Sequence, residues 1–210
     1  MSLRLLLADD HGIIRQSLRA LLEREGYQVV AEASDGREAV RLTAQFRPQV
    51  AVLDLSMPLL NGMEAAREIL RDTPQTRVVL LTVHTEDHYV LEALRVGISG
   101  YVLKSKSSSE LIQAIQEASR GAMYLSPDIS ATVVRAYLTK SEPAPEALGN
   151  RERQVLQLVA EGKSTKEIAG LLGISPKTAE SHRGHIMEKL EIHNTAGLVR
   201  YAIRRGLIEP

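Results

Sequence analysis

Short apolar runs alternate with helical periodicity from Leu3 to Glu117, a rhythm that predicts βα units around a parallel sheet. Strands are expected near Leu3–Ala8, Gln28–Ala33, Val50–Leu53, Val78–Leu81 and Gly100–Leu103, where apolar residues run on as they must in strands covered on both faces. Helices are expected near Gly12–Glu25, Gly36–Gln45, Gly62–Arg71, Asp87–Val96 and Ser108–Ser119. In the first of these, Ile14, Leu18, Leu21 and Leu22 fall on one side, the spacing an amphipathic helix uses to cover a sheet. Ser34-Asp35 caps the second helix, and Ser107-Ser108-Ser109-Glu110 offers the fifth an N-cap serine and an early acidic residue.

The rhythm stops after Gly121. Residues Ser126–Leu138 read as a short helix that leads into Lys140-Ser-Glu-Pro-Ala-Pro-Glu-Ala147, where two prolines among polar residues predict an exposed linker. Beyond it no convincing strand occurs, and four short helices are expected near Asn150–Glu161, Thr165–Leu172, Pro176–Leu190 and Thr195–Arg205. The chain therefore divides into a first domain over 1–122, a linker with a short helix over 123–147 and an all-α four-helix domain over 148–210.

Charge separates the same parts. Residues 1–125 carry 14 Lys and Arg against 16 Asp and Glu, whereas residues 150–210 carry 10 against 7, so only the C-terminal part is basic and able to favour a polyanion. Cysteine is absent, which excludes disulfides and thiolate metal sites. No apolar stretch approaches the roughly 18–20 residues of a membrane span, and the N-terminus lacks a signal-peptide pattern, so a cytoplasmic protein is expected.

Three acidic residues stand where apolar runs end: Asp9 and Asp10 after the first, Asp54 after the third. Open α/β sheets bind ligands at the carboxyl ends of their strands, and carboxylates gathered there need a cation. A hard cation held by one or two carboxylates together with a phosphate is the usual setting of magnesium, which points to phosphoryl chemistry. Thr82 and Lys104 end two further strands, so five polar groups share one rim. Asp9-Asp10, Asp54-Leu-Ser-Met-Pro-Leu-Leu-Asn-Gly62, Thr82 and Gly100-Tyr-Val-Leu-Lys104 resemble the receiver domain of two-component response regulators, over nearly all of residues 1–120. The resemblance implies a (βα)5 doubly wound sheet with Asp54 as phosphoacceptor. Mg2+ would be held by Asp10 and Asp54 directly, by Asp9 through water and by the Ser56 backbone carbonyl. Lys104 and Thr82 would contact phosphoryl oxygens, and Tyr101 would swing inward as Thr82 moves; its plain reading is a strand tyrosine.

Two departures matter. The family often carries proline with a cis bond after the lysine, but here Ser105 follows Lys104, and a non-prolyl cis bond costs about 3–4 kcal/mol, so trans is expected. Ser56 and His84 each stand two residues beyond a site residue; they are expected to flank the path of hydrolytic water and tune phosphate lifetime, the rival reading of His84 being a plain loop histidine.

In the C-terminal part, Ser164 can cap one helix, Gly173 can end it in the left-handed conformation and Ser175-Pro176 can start the next. Helix, four-residue turn, helix is the spacing of a helix-turn-helix. Ala179, Ile186 and Leu190 should pack inward, with Lys177, Glu180, Ser181 and Gly184 on an exposed side able to enter a major groove. Leu148-Gly-Asn-Arg-Glu-Arg-Gln-Val-Leu, Ala160-Glu-Gly-Lys-Ser-Thr-Lys-Glu-Ile-Ala169 and Thr178-Ala-Glu-Ser-His-Arg-Gly-His-Ile-Met-Glu-Lys-Leu190 resemble the LuxR-type DNA-binding domain, over about 146–208. That resemblance implies base-facing Glu180, Ser181 and Gly184, with Lys166, Lys177, Thr178, His182 and Arg183 toward phosphates. Ala179 stands where relatives carry valine. Leu198, Val199, Ala202 and Ile203 give the last helix an apolar side that would pair two subunits, internal packing being the rival for half of them.

Together the two parts resemble a response regulator of the NarL/FixJ type. Its expected partners are a sensor histidine kinase and double-stranded promoter DNA, bound as a homodimer and away from the membrane, and the chain is not expected to be an enzyme. Two alternatives stand beside this. One is a DNA-binding regulator whose receiver is an unphosphorylated scaffold. The other is a magnesium-dependent phosphohydrolase using Asp54, a chemistry that usually places a second carboxylate two residues on, where this chain has Ser56.

Overall fold

The computed structural model describes residues 2–127, 129, 130, 133 and 148–208. The chain divides into two compact units, one built on a sheet and one of helices. The expected linker at 140–147 and most of the short helix at 126–138 lie outside the described residues.

The first unit alternates strand and helix: β1 (Arg4–Ala8), α1 (Gly12–Arg24), β2 (Gln28–Ala33), α2 (Gly36–Phe46), β3 (Val50–Asp54), α3 (Gly62–Asp72), β4 (Arg77–Thr82), α4 (Asp87–Val96), β5 (Gly100–Leu103), α5 (Ser108–Ser119) and β6 (Tyr124–Leu125). The strands are all parallel and lie in the order β2-β1-β3-β4-β5-β6. The order reverses between β1 and β3, so the crevice where such sheets take ligands opens at their carboxyl ends, between Ala8 and Asp54.

Alternation of side chains along each strand feeds both faces. Leu5, Leu7, Val50, Val52, Val79, Leu81 and Val102 pack with Leu22 of α1 and with Leu111, Ala114, Ile115 and Ala118 of α5. Leu6, Ala51, Leu53, Val78 and Leu80 are equally buried and point the other way. Burial on both faces is why these strands are apolar at nearly every position.

Three details depart from expectation. The parallel sheet has a sixth strand, Tyr124–Leu125, which pairs with Gly100 and Tyr101 and extends the sheet past the point where the βα rhythm stops. In α1, Leu22 is fully buried, but Ile14 is 38% exposed and Ile13 82% exposed. The first turn of α1 starts beyond the strand ends and has no sheet beneath it, so the apolar stripe is used only from Leu18 onward. Asp35 caps α2 by accepting from the Glu38 amide at 2.8 Å, whereas Ser107 makes no side-chain cap to α5; its hydroxyl pairs with Ser109 Oγ at 2.6 Å.

The second unit holds α6 (Asn150–Ala160), α7 (Thr165–Leu172), α8 (Pro176–Leu190) and α9 (Thr195–Arg204). Val155, Leu156, Val159, Ile168, Leu172, Ala179, Ile186, Leu198 and Ala202 share one core. The sequence signals at the α7–α8 junction act as expected. Ser164 and Glu167 form a capping box, Gly173 adopts a left-handed conformation (φ 63°), and Ser175 accepts from the Thr178 amide at 3.0 Å behind Pro176 in the first turn. The connection is tighter than the predicted four residues, spanning 173–175.

Candidate functional site

Asp9, Asp54 and Thr82 are 1%, 4% and 1% exposed, although each is polar and each sits at a strand end. Such burial requires partners. Lys104, just beyond β5, supplies them: its Nζ lies 2.7 Å from Asp54 Oδ2 and 3.0 Å from Asp9 Oδ2. The Lys104 amide also donates to the Thr82 carbonyl at 2.7 Å, which fixes the root of the side chain to the end of β4. Asp10 is exposed beside this trio.

Burial pushes the Asp54 carboxyl up to about 6; the Lys104 hydrogen bond and charge oppose that shift, and the Asp9 carboxylate adds to it. Burial alone would lower the Lys104 ammonium, but its bonds to Asp54 and Asp9 outweigh it and raise the pKa. The site thus holds three carboxylates against one lysine, an excess of negative charge gathered from β1 and β3. Ligand atoms of Asp9, Asp10, His11 and Asp54 all lie within 4.8 Å of one another. Hard oxygen donors at that spacing, undercompensated by Lys104, fit a divalent cation such as magnesium.

The far wall is the β4–α4 connection. The His84 amide donates to Thr82 Oγ1 at 3.1 Å, and the Tyr101 hydroxyl donates to the His84 carbonyl at 3.0 Å. Tyr101 is 0% exposed, so in this structure the side chain predicted to swing inward is already inside, and burial pushes its hydroxyl pKa up. His84 Nε2 lies 3.4 Å from Ser56 Oγ, and its ring packs 4.6 Å from that of Tyr89. Two positions singled out in the sequence are therefore in direct contact. Peptide bonds among the described residues are all trans, Lys104–Ser105 included.

The near wall is backbone. The Gly62 amide donates to the Leu55 carbonyl at 2.8 Å, and a Cβ on Gly62 would stand 2.0 Å from the Asp54 carbonyl oxygen. Only glycine lets α3 start this close to β3. Asn61 caps the same helix by accepting from the Glu64 amide at 2.9 Å.

Sequence reasoning overlooked His11. Its amide donates to Asp9 Oδ1 and its Nδ1 meets Asp10 Oδ1, both at 2.8 Å, so it fixes the geometry of both acidic neighbours. The signal was its place directly after the acidic pair.

In the helical unit, Lys166, Lys177, Thr178, Glu180, Ser181 and Gly184 are exposed, the last five along one side of α8 opposite buried Ala179 and Ile186. His182 and Arg183 are half-buried, and Arg183 donates to Thr195 Oγ1 at 2.7 Å. Thr178 Oγ1 lies 2.8 Å from the capping Ser175 hydroxyl, and Thr165 Oγ1 donates to Glu180 Oε2 at 3.0 Å. His185, one turn after Ser181, is also exposed and was not singled out in the sequence; the i, i+4 spacing would have found it. In α9, Leu198 and Ala202 are spent on the core, while Val199 and Ile203 are half-buried. Among the described residues no helix is long and apolar enough to cross a membrane.

Comparison with known proteins matches residues 5–116 to the response regulator receiver domain and residues 146–202 to the bacterial regulatory proteins of the luxR family. The transcriptional regulatory protein MctR of Rhizobium johnstonii is 35% identical over 98% of this chain and 95% of its own length. The response regulator UvrY of Escherichia coli K12 is likewise 35% identical, over the same shares. Among solved structures, that of RcsB from Salmonella enterica serovar Typhimurium, bound to a promoter in the presence of phosphomimetic BeF3-, is 28% identical with a TM-score of 0.63, covering 96% of this chain and 98% of the other.

Proposed function

The chain belongs to the two-component response regulators that join a receiver to a LuxR-type DNA-binding domain, and on that premise we propose that phosphorylation of Asp54 controls its binding to promoter DNA. The observation that carries the reading is the buried triangle of Lys104, Asp54 and Asp9 in the same chain as an exposed recognition helix. The receiver runs past the boundary expected at 122 to take in β6 at Tyr124–Leu125, and the DNA-binding domain is 148–210.

A carboxylate is a weak nucleophile, and the site compensates by position and charge. An Asp54 oxygen attacks phosphorus on a phosphohistidine of the sensor kinase or on an acyl phosphate. The new O–P bond forms as the bond from phosphorus to the donor breaks, and the departing group keeps the electron pair. Asp9, Asp10, Asp54 and the Ser56 carbonyl would hold magnesium, which when bound neutralises charge between carboxylate and phosphoryl group. Lys104 transfers its attraction from the Asp54 carboxylate to a phosphoryl oxygen, and Thr82 donates its hydroxyl to another, drawing on the contacts that bind it to His84 and, through His84, to Tyr101. Hydrolytic turnover of a separate substrate lacks its second carboxylate, since the position two beyond Asp54 is Ser56, bonded to His84.

Output is promoter binding by a cytoplasmic homodimer. The DNA-facing set is Lys166, Lys177, Thr178, Glu180, Ser181, His182, Arg183 and Gly184, and Val199 and Ile203 of α9 serve as the pairing surface. Switching a population from 1:99 to 99:1 takes about 5.5 kcal/mol, more than one hydroxyl contact provides, so dimerisation on DNA contributes the remainder. The test is DNA binding with and without acetyl phosphate and magnesium, comparing wild type with Asp54→Ala. Wild type is expected to respond and Asp54→Ala not to; equal affinity in every condition removes the switch.

A further inference from the structure

Glu180 is a carboxylate on the one basic part of the chain, in the first turns of a helix meant to approach phosphates. Repulsion from the DNA backbone argues against that choice unless the carboxylate finds a donor in the groove. Among the described residues Glu180 has no ion-pair partner that would neutralise it: Arg183, one turn on, is directed to Thr195 instead. Among those residues its one side-chain partner is the Thr165 hydroxyl, which reaches across from the start of α7 and donates to Oε2 at 3.0 Å. Thr165 is in turn fixed at the first position of α7 by the Ser164–Glu167 capping box. The carboxylate is thus aimed by the first helix of the helix-turn-helix, with Oε1 left to accept.

In the major groove the base edges differ in what they offer. Guanine presents acceptors at N7 and O6, thymine an acceptor and a methyl group, and cytosine an N4 amino donor with no acceptor beside it. A fixed carboxylate is repelled by the first two and matched by the third; adenine couples its amino donor to an acceptor at N7, which suits an amide better than a carboxylate. We propose that Glu180, held by Thr165 as a positioning residue, reads the amino group of one cytosine in each half-site and so sets operator specificity. The proposal rests on the DNA-binding reading above and adds to it which base is read and what aims the reader.

The test is selection from a library of random double-stranded DNA by the full chain, treated with acetyl phosphate and magnesium, followed by affinity measurements on the selected sites at fixed salt. Wild type is expected to enrich a cytosine at one position per half-site. Glu180→Gln retains an acceptor for Thr165 but gains an amide donor, so it is expected to shift that position toward adenine and to lose on the order of tenfold on the wild-type site. Thr165→Val should relax preference at the same position alone, and Thr165→Ser should restore it. Identical base preferences for wild type and Glu180→Gln would overturn the proposal and leave Glu180 as a brace between two helices. If wild type enriches no sequence at all, the DNA-binding reading falls and this one falls with it.

Discussion

Ser56 Oγ and His84 Nε2 lie 3.4 Å apart, a bridge between the residue two beyond Asp54 and the residue two beyond Thr82. On the proposed reading, hydrolytic water reaches phosphorus on Asp54 past these two residues. Opening it by Ser56→Ala or His84→Ala is expected to speed loss of phosphate on the order of fivefold, the rate equivalent of an ordinary hydrogen bond of about 1 kcal/mol. Decay of radiolabelled phosphoprotein measures this directly. Equal rates in all three proteins would dissociate the bridge from phosphate lifetime.

Burial of Asp54 is expected to make the receiver's stability depend on pH and on divalent cation. Its pKa is raised from 3.8 to about 6 by burial, so between those values the folded chain binds more protons than the unfolded one. Stability from this group is present in full below the unfolded value and is lost as pH rises through the folded one. At pH 7 without divalent cation, Asp54→Asn should therefore stabilise the receiver by about 1–3 kcal/mol, an advantage that vanishes near pH 4. Urea denaturation of the full chain in chelator at the two pH values gives the comparison. Magnesium should then stabilise wild type more than the variant, because it supplies the charge that the carboxylates lack.

Gly184 sits inside α8, where glycine costs about 1 kcal/mol relative to alanine, and beyond its own neighbours and helix backbone nothing among the described residues lies within 4 Å of where its Cβ would be. Folding therefore gives no reason for a glycine there. Gly184→Ala is expected to raise the stability of the helical unit by about 1 kcal/mol and to weaken operator binding, because the added methyl group meets the groove. Thermal denaturation and DNA titration of one variant should thus move in opposite directions. A stabler protein with unchanged affinity would place Gly184 off the DNA.

Most of the first unit was legible because burial on both sheet faces leaves a strand no polar positions, so Val50–Asp54 and Arg77–Thr82 are bounded by the residues that end them. What escaped notice was set by tertiary context. Tyr124–Leu125 is too short to have a period and is a strand only because β5 presents a free edge. Ile14 has the helical spacing of a core residue but no sheet beneath it. Ser107 has the chemistry of a cap and spends its hydroxyl on Ser109. The rim of Asp9, Asp54, Thr82 and Lys104 could be read from four strand ends, but the contacts that tune it could not. Ser56 with His84 at the rim, like Thr165 with Glu180 in the helical unit, joins side chains whose spacing carries no pattern, whereas His11 was marked only by its place beside Asp10.

The two walls of the proposed phosphorylation site are built differently, one of backbone and one of side-chain contacts. Behind Asp54, Gly62 seats α3 directly on the strand's last carbonyl, with clearance too small for a single methyl group. Opposite, the loop after Thr82 is held by side chains: the Thr82 hydroxyl on the His84 amide, the Tyr101 hydroxyl on its carbonyl, and Ser56 and Tyr89 against its ring. On the proposed reading, a phosphoryl group on Asp54 would meet fixed backbone on one side, so the displacement would fall to the other. The direction in which the signal leaves the site follows from this difference in compliance, and a single missing Cβ acts as the backstop.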